Sequence, residues 1–101
     1  MDNRVARCHL LMEVLIADGV LTADEKALLE KHLEDHALSD EECQQVRSRS
    51  GYDEAIRVMR ERPEIERQEV LEQLAECALA DGKLTAGELE TVARIRKELG
   101  L

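Results

Sequence analysis

The chain repeats itself. Residues 11–29 read LMEVLIADGVLTADEKALL, and residues 74–92 read LAECALADGKLTAGELETV. Nine of the nineteen aligned positions are identical, at a constant offset of 63 and without a gap. The identities concentrate in A-D-G-x-L-T-A-x-E, residues 17–25 and 80–88. Repeated units tend to stack against each other to bury their apolar faces. A duplication that retains its polar letters also implies a paired physical role for those letters.

Each copy carries the local signals of a bent helix pair. Val5, Cys8, Leu11, Met12, Leu15 and Ile16 recur at helical spacing, which predicts a helix over residues 3–17. Gly19 is a natural stop, because glycine enters the left-handed region without strain. Thr22-Ala23-Asp24-Glu25 is a capping box and opens the next helix, whose Leu29 and Leu33 continue an apolar stripe to about residue 37. Ser39 and Glu42 form another box, with Leu38 and Cys43 placed as a hydrophobic staple, and start a short third helix ending near residues 48–51. A fourth short helix over residues 53–61 presents Ile56 and Met59. Pro63 suits the first turn of a fifth helix carrying Val70, Leu71, Leu74, Cys77 and Ala78 and stopping at Gly82. Thr85 and Glu88 begin the last helix, with Leu89, Val92, Ile95 and Leu99 as its stripe and Gly100-Leu101 as its closure.

The fold expected is therefore all-α. It is a single compact helical domain over residues 1–101, made of two ADG-turn helix hairpins about a pseudo-two-fold and joined by two short helices. Composition agrees. The chain is 44% hydrophobic but only 1% aromatic, so Leu, Val, Ile, Ala, Met and Cys must build the core. Scarcity of aromatic and β-branched residues disfavours sheets.

Charge narrows the partners. The formal net charge is −9. Residues 18–42 hold nine acids against two lysines, and residues 68–90 hold six acids against one. Binding of nucleic acid or of an anionic membrane is disfavoured, while a cation or a basic protein surface suits the field. Six arginines in residues 47–67 stand against five acids, which reads as a salt-bridged face, with a docking surface for an acidic partner as the alternative. Cys8, Cys43 and Cys77 show no CxxC spacing and read as small buried hydrophobes in a reducing compartment. No signal-peptide pattern opens the sequence and no apolar run can span a bilayer, so a cytoplasmic protein without direct membrane insertion is expected.

Asp18 and Asp81 are the residues that local rules explain least. Each falls at a helix C-terminus, where an acid costs a few tenths to about 1 kcal/mol against the helix dipole. Three compensations are open: hydrogen bonds within the Asp-Gly turn, a neighbouring helix N-terminus, or a cation held with Glu25 or Glu88. Neither loop works as an EF-hand alone. With Gly19 and Gly82 at the sixth loop position, the first and third positions are Val14 and Ile16, or Cys77 and Leu79, which offer no side-chain oxygen. A shared site would need Asp18, Glu25, Asp81 and Glu88 together, so these four are the candidate metal ligands. His32 and His36, four apart, would share a helix face as two ligands without a third. His9 has no evident companion.

The repeated A-D-G-x-L-T-x-x-E, followed by a helix and a closing Leu-Gly-Leu, resembles the TerB-like superfamily, which includes tellurite-resistance TerB proteins and the N-terminal domain of certain DnaJ-like membrane co-chaperones. The likeness covers nearly the whole chain and is closest in the second copy. It implies an all-helical fold, a role in stress-linked protein complexes, and metal association through Asp18, Glu25, Asp81 and Glu88.

With no nucleophile–base pair, phosphate loop or metal-hydrolase motif in the sequence, no catalytic residue is nominated and no cofactor is required. The expectation is a non-enzymatic protein-binding module whose twin acidic turns set the fold through caps and turn bonds, with a divalent cation as a second role open to them. A metal sensor or buffer built on the same carboxylates is the alternative, and self-association as a homodimer is a further one.

Overall fold

The computed structural model describes residues 1–17, 19, 21–79 and 85–101. Among these residues there are six helices and no strand: α1 (Asn3–Leu15), α2 (Ala23–Asp35), α3 (Asp40–Arg47), α4 (Tyr52–Arg60), α5 (Glu64–Leu79) and α6 (Ala86–Glu98).

Local chemistry sets the starts. Thr22 accepts from the Glu25 N–H at 3.2 Å while Glu25 Oε1 accepts from the Thr22 N–H at 3.2 Å, completing the capping box of α2. Ser39 and Glu42 do the same for α3, at 3.2 and 2.9 Å. Cys43 packs back over Leu38, its Sγ 3.9 Å from the Leu38 carbonyl oxygen. Asp2 caps α1 by accepting from the Val5 N–H. Pro63 differs from expectation. It precedes α5 rather than lying inside it, and its carbonyl accepts from the Glu66 and Arg67 N–H groups at 3.0 and 3.1 Å. A proline carbonyl can accept the first helical bonds although its nitrogen cannot donate.

Ends are set by left-handed residues. Gly100 (φ +77°) closes α6: its N–H donates to the Lys97 carbonyl and the Leu101 N–H to the Arg96 carbonyl, the paired bonds of a Schellman motif. The same pair closes α2, but the left-handed residue is Ala37 (φ +53°). Gly19 is left-handed too, at φ +83°, yet α1 has already stopped at Leu15, earlier than the glycine suggests. Guanidinium groups neutralise two helix ends. Arg4 donates to the His36 carbonyl, and Arg67 donates to the Leu99 carbonyl at 2.6 Å.

The hydrophobic pattern of α1 predicts one buried face. The structure buries α1 on nearly every side: Val5, Ala6, Cys8, His9, Leu10, Leu11, Met12, Val14 and Leu15 are all buried. A helix apolar over most of its surface belongs inside. α1 accordingly packs against all five other helices, most extensively α4. α5, the matching helix of the second copy, buries only Val70, Leu74 and Ala78. The two leading helices of the repeat are thus not buried alike. On α6 the buried line is Glu88, Thr91, Ile95 and Leu99, while Leu89 stands 52% exposed. The stripe is rotated from the expected one because two polar residues, Glu88 and Thr91, turn inward.

The turn at Gly51 locks against this core. Gly51 has no room for a side chain, since a Cβ there would lie 2.6 Å from His9 Cε1. The arginine-rich segment forms ion pairs: Arg47 binds Glu30 through two contacts of 3.0 and 2.7 Å, and Arg49 binds Glu13 at 3.2 Å. The radius of gyration, 12.4 Å, is that expected for about 100 compact residues. No helix among the described residues is long and apolar enough to cross a membrane.

Candidate functional site: a carboxylate cleft

α2 packs chiefly on α1, and its first turns stand apart from α5 and α6. The gap is a cleft of about 340 Å³ lined by Asp24, Glu25, Ala27, Leu28, Lys31, Cys77, Ala78 and Glu88. Glu25 and Glu88 are equivalent positions of the two sequence copies. Both are buried, at 9% and 3% exposure, and both line this one cleft.

Capping chemistry brings them there. Each glutamate is the third residue of its helix, and a third-residue side chain turns back over the helix start. Thr85 accepts from the Glu88 N–H at 3.1 Å, and its hydroxyl donates to Glu88 Oε1 at 3.1 Å. Thr22 and Glu25 make the full box described above. Each carboxylate thus has one oxygen held at the positive dipole end of its own helix. Lys31 is the only cationic side chain on the described cleft wall, against Asp24, Glu25 and Glu88. Among the described residues the donor set is therefore oxygen-rich, which suits a hard divalent cation in chemical type.

Of the four candidate ligands read from sequence, Glu25 and Glu88 are brought together. Asp18 and Asp81 lie outside the described residues. Among the described residues, no three His, Cys, Asp or Glu side chains are grouped closely enough to hold a metal ion.

The histidines resolve differently. His32 and His36 do share a face of α2, both half-buried, with ring centroids 6.2 Å apart and planes inclined by 27°. Sequence reasoning gave this pair no third partner. The structure supplies a neighbour from α5: Cys77 Sγ lies 3.5 Å from His32 Nε2. Burial, and then His36 beside it, push the His32 pKa down, and burial pushes the Cys77 thiol up. The two groups are consequently held neutral near pH 7, and the pair does not form the thiolate–imidazolium of a nucleophilic cysteine. Cys8 is further from reactivity, its thiol pushed up to about 12 by burial.

The class is that of small all-helical domains, here with the capping glutamates of two sequence repeats lining one cleft. The family profile described as "Tellurite resistance protein TerB" matches residues 4–101. That match covers nearly the whole chain, and the chain belongs to the TerB family. No curated protein and no solved structure matches it.

Proposed function

We propose that the chain is a non-enzymatic, stress-related module that binds other proteins, and that its cleft takes a divalent cation. The observation that carries this reading is the convergence of Glu25 and Glu88, equivalent residues of the two copies, on one cleft. A duplicated residue that lines the same cleft as its duplicate points to a shared task, and an acidic pair fits a cation. Asp18 and Asp81, adjoining in sequence the turns that lead into these caps, are the further ligands we assign. A domain of this size with a net charge of −9 favours a partner with a basic surface over nucleic acid or an anionic membrane. Three free cysteines fit a reducing, cytoplasmic setting. The family description supports the link to stress.

Calorimetric titration with calcium and with zinc, alongside melting with and without chelator, tests the cation. An ion at a hundred times its dissociation constant adds about 2.7 kcal/mol of stability. Glu25→Gln and Glu88→Gln should abolish the heat while keeping the fold, because glutamine also completes a capping box. Absence of both heat and melting shift overturns the cation and leaves protein binding alone. The same cleft supports a second reading, a metal sensor or buffer. A partner captured equally well with and without the ion would exclude the sensor.

A further inference from the structure

Cys77 occupies a wall shared by two cavities. On one side is the carboxylate cleft; on the other is a small recess lined by His32, His36 and Arg7 among others. Its sulfur is in contact with His32 Nε2 at 3.5 Å, across 45 residues of sequence. Neither the capping chemistry nor the proposed divalent cation accounts for this pair.

We propose that Cys77 and His32 form a two-coordinate site for a soft monovalent cation, copper(I) or silver(I), entered through the acidic cleft. Three observations carry it. A thiolate and an imidazole are the donors such ions select. Only two donors meet here, since no group of three His, Cys, Asp or Glu side chains occurs among the described residues. Two donors leave a tetrahedral zinc ion undersupplied but satisfy a d10 monovalent ion in linear geometry. Finally, among the described residues Asp24 and Glu25 alone outnumber Lys31 on the cleft wall that Cys77 shares, so that side of the approach to the sulfur favours cations.

The geometry needs little change. On the scale of zinc's bonds, about 2.3 Å to sulfur and about 2.0 Å to nitrogen, an ion set in line separates the donors by roughly 4.3 Å. The pair must open by roughly 0.8 Å from its present 3.5 Å. The ion replaces the thiol proton: Cys77 S–H loses its proton to solvent, sulfur and His32 Nε2 each donate a lone pair, and no electron is transferred. Affinity therefore rises with pH. His36, stacked beside His32, positions the ring. The site is independent of divalent-cation binding and does not rest on the function proposed above.

Silver(I) nitrate in chloride-free buffer is the probe, titrated into the whole chain while melting, proton release and the histidine ring-nitrogen resonances are followed. The first equivalent should release one proton and shift the His32 Nε2 resonance of the unmodified chain. Cys77→Ser should lose this binding, His32→Ala should weaken it at least tenfold, and Cys43→Ser should leave it unchanged. An unmoved His32 resonance at the first equivalent overturns the proposal, even if Cys77→Ser fails to fold. So does binding to His32→Ala as tight as to the unmodified chain, which would mean sulfur alone suffices.

Discussion

The hydroxyl of Tyr52 donates to Glu98 Oε2 at 2.5 Å, tying the start of α4 to the end of α6. The Arg94 guanidinium sits 5.4 Å from the centre of the same ring. This is the chain's sole aromatic residue, and it joins two elements 46 positions apart. Burial, then the bond to Glu98, hold the phenol pKa above its usual value, so the hydroxyl remains a donor throughout the neutral range. Tyr52→Phe keeps the ring and removes the donor. It should cost about 1–2 kcal/mol, as for a half-buried hydrogen bond to a charged acceptor. Chemical denaturation of both proteins measures it, and an unchanged midpoint would mean water replaces the bond without loss.

Thr22→Ala and Thr85→Ala should each lose about 1 kcal/mol, the usual worth of a threonine cap. Each hydroxyl accepts from the third helical N–H, at 3.2 and 3.1 Å. These variants also loosen the glutamates that line the cleft. Thermal melting reads the first effect. Ion titration reads the second, with weaker binding expected in both.

Ala37→Gly should stabilise the chain by about 0.5–1 kcal/mol. Alanine at φ +53° ends α2 in a region that costs an L-residue roughly 1–2 kcal/mol, and glycine's extra unfolded-state entropy offsets part of the relief. The Schellman bonds need only the backbone, so they survive the change. A lower melting temperature for Ala37→Gly would show that the alanine methyl group contributes more than its strain costs.

Stability should fall between pH 7 and pH 5. His9 is buried at 2% exposure, and its Nε2 has no hydrogen-bond partner among the described residues. Burial lowers its pKa, and Glu54 and Glu13 only partly oppose this. His32 is lowered as well. A histidine whose folded pKa lies below its unfolded value near 6.5 binds protons preferentially in the unfolded chain. The stability it supports is complete above that value and drains as pH falls through it, by at most about 1.4 kcal/mol per pH unit for each group. The carboxylates with lowered pKa, such as Asp2, Glu30 and Glu66, act in the same direction but at lower pH. His9→Leu should flatten the profile between pH 7 and 5, and an unaltered slope would remove His9 as the source.

The starts of α2, α3 and α6 were legible because a capping box is a rule spanning four residues, and nothing distant needs to be known. The closure at Gly100 was legible for the same reason. The end of α2 was not, since Ala37 carries no left-handed signature; Arg4, thirty-odd positions earlier, donates to the His36 and Ala37 carbonyls and helps hold that end. The repeat pointed to Glu25 and Glu88 as a pair, and the cleft unites them. Leu89 misled because hydrophobicity alone set the phase of α6, whereas the buried Glu88 and Thr91 decide it. The Cys77–His32 contact was invisible, because its members lie 45 residues apart and His32 falls outside the repeated segment.

The placement of α1 has a consequence for how the chain is made. It touches every other helix, including α6 at the far end of the sequence. Synthesis therefore delivers this central shaft, apolar over most of its surface, well before α6 exists. Final closure has to wait for residues some eighty positions downstream, and until then α1 is the stretch of nascent polypeptide with the greatest need of shielding.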